Sequence, residues 1–496
     1  MRRLTSLAAL VLLCALAAWA DITLPAVLAG HMVVQRGMPV HVWGKAAPGE
    51  AVSAEFRGAT RTAKANDDGL WSLYFPAGEA GGPFELKLQG ANTIVLEDVL
   101  VGDVWVASGQ SNMELPLKSS ADPEVEVPAA KFPRIRLFHA NNKVADYPLD
   151  DIDAKTWTDC TPETAASFSA VAYYFGRHLQ EKLSVPIGLI EAAWGGTPAD
   201  SWISLHGISR DPALMPVFAE WSRITGAYNV WRPRRQKRLR EWNEAVARAK
   251  AEGKEAPPYP WEGNSDGEWQ PAGLFNSMIA PLTPFPIRGA IWYQGESNAG
   301  SERAPLYARL FQAMIRDWRR AWGQGDFPFF FVQLAAFKTG AMWPEVREAQ
   351  HQTLSLTNTG MAVAIDIGDP VDIHPKNKKE VGRRLALAAL AISHGERIEY
   401  SGPMFRQATA EGGSIRVSFD HAAGLAAKNG PPAGFEVAGA DRKFVSADAV
   451  VEGATILVSN PAVPAPVYVR YGWSDYPPCN LYNSDGLPAS PFRSGE

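Results

Sequence analysis

Cysteine is scarce. There are three in 496 residues, Cys14, Cys160 and Cys479, and no two form a C-x-x-C pair. That excludes a dithiol redox motif, a zinc ribbon and a small disulfide scaffold. The nine histidines, at 31, 41, 139, 178, 206, 351, 374, 394 and 421, form no H-x-x-x-H pattern, so a zinc enzyme is not expected and no metal is assigned. Neither a P-loop nor a G-x-G-x-x-G occurs, and no cofactor is expected. The formal net charge is −5 and no half is strongly basic, which argues against nucleic acid as a partner. Beyond the N-terminus no apolar run reaches the ~18 residues that would read as a membrane span.

What is present is an ordinary globular composition: 46% hydrophobic, 20% charged, with 43 Gly and 38 Pro. Disorder, collagen and coiled coil are excluded as whole-chain classes. At ~100–200 residues per domain the length predicts two to four domains. Seventeen tryptophans would suit contact with sugar rings, but buried tryptophan in the core explains most of them equally well.

Residues 1–20 read as a signal peptide. Arg2 and Arg3 form the charged region, Leu7 to Leu16 the apolar region, and Ala18-Trp19-Ala20 the cleavage pattern. Cleavage after Ala20 predicts a secreted or periplasmic chain starting at Asp21. Leu13 stands before Cys14 where a lipoprotein signal has a small residue, so no lipid anchor is expected. Removal takes away two Arg and no acid, moving the formal charge from −5 to −7. Cys160 and Cys479 remain, either as a disulfide or as two buried thiols.

From 21 to 98 short alternating strands predict a β-sandwich-like domain. Val40-His41-Val42-Trp43, Val52 to Phe56, Trp71 to Phe75 and Phe84 to Leu88 are examples, with turns at Asp67-Asp68-Gly69 and Gly81-Gly82-Pro83. From 99 to 395 the pattern changes. Solid apolar runs at Val104–Ala107, Ile187–Ile190, Ala290–Tyr293, Phe329–Val332 and Met361–Ile365 alternate with helical stretches. Tyr307, Phe311, Met314 and Trp318 keep helical spacing, as do Val381, Leu385, Ala388 and Ile392. Apolar strands between helices predict a parallel sheet covered on both faces. A charged stretch at about 232–252 reads as a solvated inserted helix, or else as a basic patch that draws in acidic substrates. From 396 to 496 short strands return, as at Ser414–Phe419, Gly434–Val437 and Val467–Arg470.

Ligands of open parallel sheets bind beyond the carboxyl ends of the strands. Four apolar runs are followed by polar, Gly-rich segments. These are Ser108-Gly109-Gln110-Ser111-Asn112-Met113, Glu191-Ala192-Ala193-Trp194-Gly195-Gly196-Thr197, Gln294-Gly295-Glu296-Ser297-Asn298, and Asp366 leading to Asp369, Asp372 and His374. Together they hold what acyl transfer from an ester needs. A serine hydroxyl is a weak nucleophile until a base takes its proton, and His374 titrates in the right range. Asp372, two residues away in an extended segment, points the same way as His374, with Glu296 as a rival acid partner. The oxyanion needs donors: the Ser111 and Gly196 amides, and a side-chain amide from Asn298 or Gln294. Singly, each has another reading: Ser111 as a turn or N-cap, Gly195-Gly196 as a turn, His374 as a surface histidine or a metal ligand. Their coincidence carries the argument. Gly109-Gln110-Ser111-Asn112-Met113 lacks the final Gly of G-x-S-x-G, which argues against the ordinary α/β-hydrolase arrangement.

These four segments, with Gly273 to Leu282 and the tail Cys479-Asn480-Leu481-Tyr482-Asn483 to Phe492, resemble the sialate O-acetylesterase family of SGNH-type hydrolases over nearly the whole chain. The resemblance implies a flavodoxin-like three-layer α/β/α core with β-rich flanks, and metal-independent removal of O-acetyl groups from sugars. By matching positions it implies Ser111 as nucleophile and His374 as base, with Gly196 and one of the two amides in the oxyanion hole. General SGNH hydrolases carry the acid three residues before the histidine, where this chain has Val371. Asp372, at minus two, matches the sialate-esterase-like subgroup. The expected partner is an O-acetylated carbohydrate. Acetylated xylan or another plant polysaccharide is the alternative substrate. A non-catalytic glycan-binding protein on an esterase scaffold is the alternative class.

Overall fold

The strand Thr93–Gly109 is the spine of the molecule. In the computed structural model, which describes residues 21–254, 257 and 267–495, its first half pairs antiparallel with Gly81–Gln89. From Asp103 it lies between two parallel neighbours, Ile187–Ala193 and Gly289–Tyr293. One continuous strand therefore crosses the junction expected between residues 98 and 99. The N-terminal β region and the α/β region also share one apolar core. The expected signal peptide lies outside the described residues.

The parallel sheet extends both ways. Phe132–His139 follows Ile187–Ala193, while Phe329–Gln333 and then Thr359–Val363 follow Gly289–Tyr293. Thr158–Cys160 closes one edge antiparallel. Phe132–His139 is a strand that the apolar runs do not announce. Pro133, Arg134 and Arg136 interrupt its hydrophobicity, and its first three residues are not buried. The aromatic residues show that both faces are covered. Trp105 packs on Phe330 and on Phe175 of the helix Ala170–Leu183. Phe329 and Phe331, on either side of Phe330 in sequence, pack on Phe311 of the helix Ala304–Trp322, as does Trp292. Successive strand residues point to opposite faces, so the sheet lies between two helical layers. Tyr307, Phe311, Met314 and Trp318 are all buried, which is the burial their helical spacing predicts.

In the N-terminal region Val40–Lys45 pairs with Leu70–Phe75, and Ala51–Phe56 lies between Ala59–Lys64 and Gly81–Gln89. The alternation of exposed and buried residues along Leu70–Phe75 is complete. The charged stretch forms the helix Tyr228–Ala251, in which no described residue is buried. The C-terminal region has two four-stranded antiparallel sheets around a separate core that includes Val417, Val437, Ile456 and Tyr471. Cys160 and Cys479 are both free thiols, so the disulfide reading is set aside. Burial pushes each thiol up to about 12.

Candidate active site

Two parallel neighbours flank the carboxyl end of Thr93–Gly109. The chain builds the strands on one side of it first, and those on the other side afterwards. That makes this strand end the switch point of the sheet, where a crevice opens. Gly109, its last residue, has φ +138°, and a Cβ there would lie 2.1 Å from the Tyr293 carbonyl oxygen. Only glycine allows this approach. The Gln110 N–H then donates to that carbonyl at 3.0 Å, and Ser111 opens the four-residue helix Ser111–Glu114.

His374 comes from the loop after Thr359–Val363, 263 residues further along the chain. Its Nε2 lies 2.8 Å from Ser111 Oγ. The loop is folded by Asp369, whose carboxylate accepts the N–H groups of Val371 (2.7 Å) and Asp372 (2.9 Å). Asp372 Oδ1 accepts the His374 main-chain N–H at 2.8 Å and lies 3.4 Å from Nδ1. Val371, at the minus-three position, is 86% exposed and faces water rather than the imidazole. Glu296 makes no contact with His374 among the described hydrogen bonds and ion pairs. Glu296 lines the same cavity as Ser111 and His374, but its Oε1 accepts Asn112 Nδ2 at 2.6 Å.

Gly196, with φ +75°, lines the same cavity as Ser111. Its N–H has no acceptor among the described residues, whereas the Gly195 N–H is taken by Glu114 Oε2 at 2.6 Å. Trp269 Nε1 anchors the Gly196 carbonyl at 2.8 Å. Asn298 and Gln294, the two rival amides, differ in what they have left to offer. Gln294 Nε2 gives both protons away, to Thr197 O (3.2 Å) and Asn298 Oδ1 (2.6 Å), and its Oε1 accepts Tyr307 Oη. Both donors of its side-chain amide are thus taken by protein acceptors. Asn298 uses only Oδ1 internally, for Ala199 N–H and Gln294. Its Nδ2 has no partner among the described residues.

Three residues of this site carry no role in the sequence reading. Asn112 Nδ2 donates to Glu296 and to the Ile373 carbonyl (3.0 Å), and its Oδ1 accepts the buried Lys378 ammonium. Asn112 thus ties the serine segment to the histidine loop. Lys378 sits in a run of lysines that reads as solvated surface, although it is fully buried. Glu114, which fixes Gly195, is an ordinary helical glutamate by sequence. Their signal is spatial, so no single-chain pattern announces them.

The electrostatics follow from burial. Desolvation, and next Lys378, hold His374 below the usual imidazole range, while Asp372 pulls it back. Burial would raise the Asp372 carboxyl, but the His374 N–H and Lys376 outweigh it and hold it low. Burial pulls Lys378 down to about 7 and pushes Glu114 and Glu296 up. A neutral imidazole beside a serine hydroxyl is a proton acceptor in the working form.

His31, Asp98 and Asp159 form the one group of described residues placed to share a metal ion. The Arg136 guanidinium already sits among them, bonded to Asp98 at 2.7 Å, to His31 at 3.0 Å and to Asp159. None of the three lines the cavity at Ser111.

A family model described as "Carbohydrate esterase, sialic acid-specific acetylesterase" matches residues 101–212 and 261–391. A sialate O-acetylesterase of Rattus norvegicus is 30% identical over 86% of this chain and 84% of its own. The chain belongs to the sialate O-acetylesterase family. Another member, from Homo sapiens, is 28% identical over 91% of this chain and 88% of its own. A carbohydrate acetylesterase of Xanthomonas citri has a similar structure. Its TM-score is 0.83 and its identity 38%, with 96% of this chain and 100% of that one covered. The three-layer core is therefore of the SGNH type, and this member of the family is a carboxylic ester hydrolase, an O-acetylesterase of acetylated sugars. No described helix is long and apolar enough to cross a membrane.

Proposed function

We propose that this esterase is an exported serine hydrolase that deacetylates sugars through an acetyl-enzyme. The observation that carries this reading is the 2.8 Å contact between Ser111 Oγ and His374 Nε2. Ser111 Oγ attacks the acetyl carbonyl carbon as its proton passes to Nε2. The oxyanion is held by the Ser111 and Gly196 N–H groups and by Asn298 Nδ2, each such donor contributing about 3 kcal/mol. The intermediate collapses, the C–O bond to the sugar breaks, and the sugar oxygen leaves with the proton from His374. Water then gives a proton to Nε2 and attacks the acetyl-serine, releasing acetate and restoring Ser111. Asp372 orients the imidazole and offsets its positive charge. Gln294 is the support that holds Asn298. Export rests on the leader pattern at residues 1–20.

The test is Ser111→Ala with acetate release from an aryl acetate and from an acetylated sugar. The expected loss in kcat is on the order of 10³-fold or more. Unchanged turnover in a folded variant would remove Ser111 from the chemistry.

A further inference from the structure

The crevice at Ser111 is one-sided in its charge. Its main cavity, about 590 Å³, includes three carboxylic residues, Glu114, Glu268 and Glu296, and not one Arg or Lys among its described lining. A second cavity of about 460 Å³ meets it at Ser111, Glu114 and His374 and adds Glu191, again without Arg or Lys. The surrounding cations are engaged elsewhere. Arg303 is paired to Asp200 (2.7 Å) and Glu220 (3.0 Å) and covers the Trp269 ring at 4.7 Å. Lys376 is held by Asp372 at 3.2 Å, and Lys378 is buried against Asn112. His139 in the second cavity is bonded to Glu191 at 3.0 Å.

A sugar acid is ordinarily recognised through its carboxylate by an Arg fork or a Lys ammonium. The described lining of this crevice supplies neither. An anionic ring entering it gives up water and meets other carboxyl groups. Ionised, these repel it; protonated, they give no charge attraction. A neutral polyol loses nothing of the kind, since its hydroxyls donate to carboxylate oxygens. Trp194, Trp269 and Trp343 add apolar lining suited to a sugar ring. Glu114 occupies the decisive place. It lines both cavities, and its two oxygens are fixed by the Gly195 N–H (2.6 Å) and Asn142 Nδ2 (3.3 Å).

We infer that the Ser111 site takes a neutral O-acetylated sugar in preference to an O-acetylated sugar acid, and that Glu114 sets this preference. The inference rests on the esterase reading above and narrows its substrate class.

The experiment compares acetate release from one O-acetylated sialoside as the free acid and as its carboxyl methyl ester, so that only the charge differs. An O-acetylated neutral methyl pyranoside is run alongside, with an aryl acetate as control. The expected result is a kcat/KM for the methyl ester and the neutral pyranoside about tenfold or more above that for the free acid. In Glu114→Gln, which keeps an acceptor for Gly195, the gap narrows several-fold. A free acid cleaved as fast as its methyl ester overturns the inference, and this comparison needs no variant. A gap unchanged in Glu114→Gln overturns the role given to Glu114. Loss of Ser111-dependent aryl acetate turnover is a separate signature. It sinks the esterase reading, and this inference with it.

Discussion

His374 is held between opposing influences, and the balance sets a pH dependence. Burial and Lys378 favour the neutral ring, while Asp372 favours the charged one. In the proposed mechanism the neutral ring is the base, so kcat/KM should fall on the acid side as it protonates, with a midpoint below the ordinary imidazole value of about 6.5. Asp372→Asn removes the group that favours the imidazolium, so that midpoint should move lower still. The plateau should drop by about 10- to 100-fold, less than the ~10⁴ of a buried triad aspartate, because Asp372 is half-exposed and 3.4 Å from Nδ1. A pH profile of both proteins checks this, and a midpoint that rises in Asp372→Asn would contradict it. At this scale the sequence is legible where chemistry restricts the residue type: Ser111, Gly196 and His374. It is illegible where two amides or two acids compete. Gln294 and Asn298 are chemically alike, and only the hydrogen bonds around them separate a support from an available donor.

Elements were readable wherever burial imposed one period. The helix Ala304–Trp322 and the strand Phe329–Gln333 place their apolar residues where spacing alone would put them. Phe132–His139 escapes because a strand beside an edge carries arginines. The connections between elements escape for another reason: they use buried charge, which looks like surface. Arg347, on the helix Trp343–Gln352, is fully buried. It donates to the carbonyls of Leu334 and Ala335 after the strand Phe329–Gln333, and to those of Ser474 and Asp475 in the C-terminal region. With no acid at hydrogen-bonding distance in the described contacts, burial pulls its guanidinium down to about 10. Arg347→Met leaves four carbonyls without this donor, and the expected loss of stability is about 3 kcal/mol. Chemical denaturation measures it, and a loss below ~1 kcal/mol would show that the clamp contributes little.

The whole molecule joins three regions that the sequence separates by style of strand. Alternation at 21–98 and at 396–496 against solid apolar runs between them made the α/β core visible. What the chain alone does not reveal is how closely the parts are joined. Thr93–Gly109 belongs to two sheets at once, and the C-terminal region reaches back to the core through Arg347 and through Ser490 on Gln333. Long-range closure of the parallel sheet, which puts the carboxyl ends of Thr93–Gly109 and Thr359–Val363 on one rim, brings residue 111 to residue 374. An active-site-directed fluorophosphonate, with the adduct located by peptide mass spectrometry, tests that closure most directly. A single adduct is expected on Ser111, forming in the intact protein and lost or slowed at least about 100-fold in His374→Ala. An adduct on a different residue, or one whose rate ignores the loss of the imidazole, would contradict this expectation.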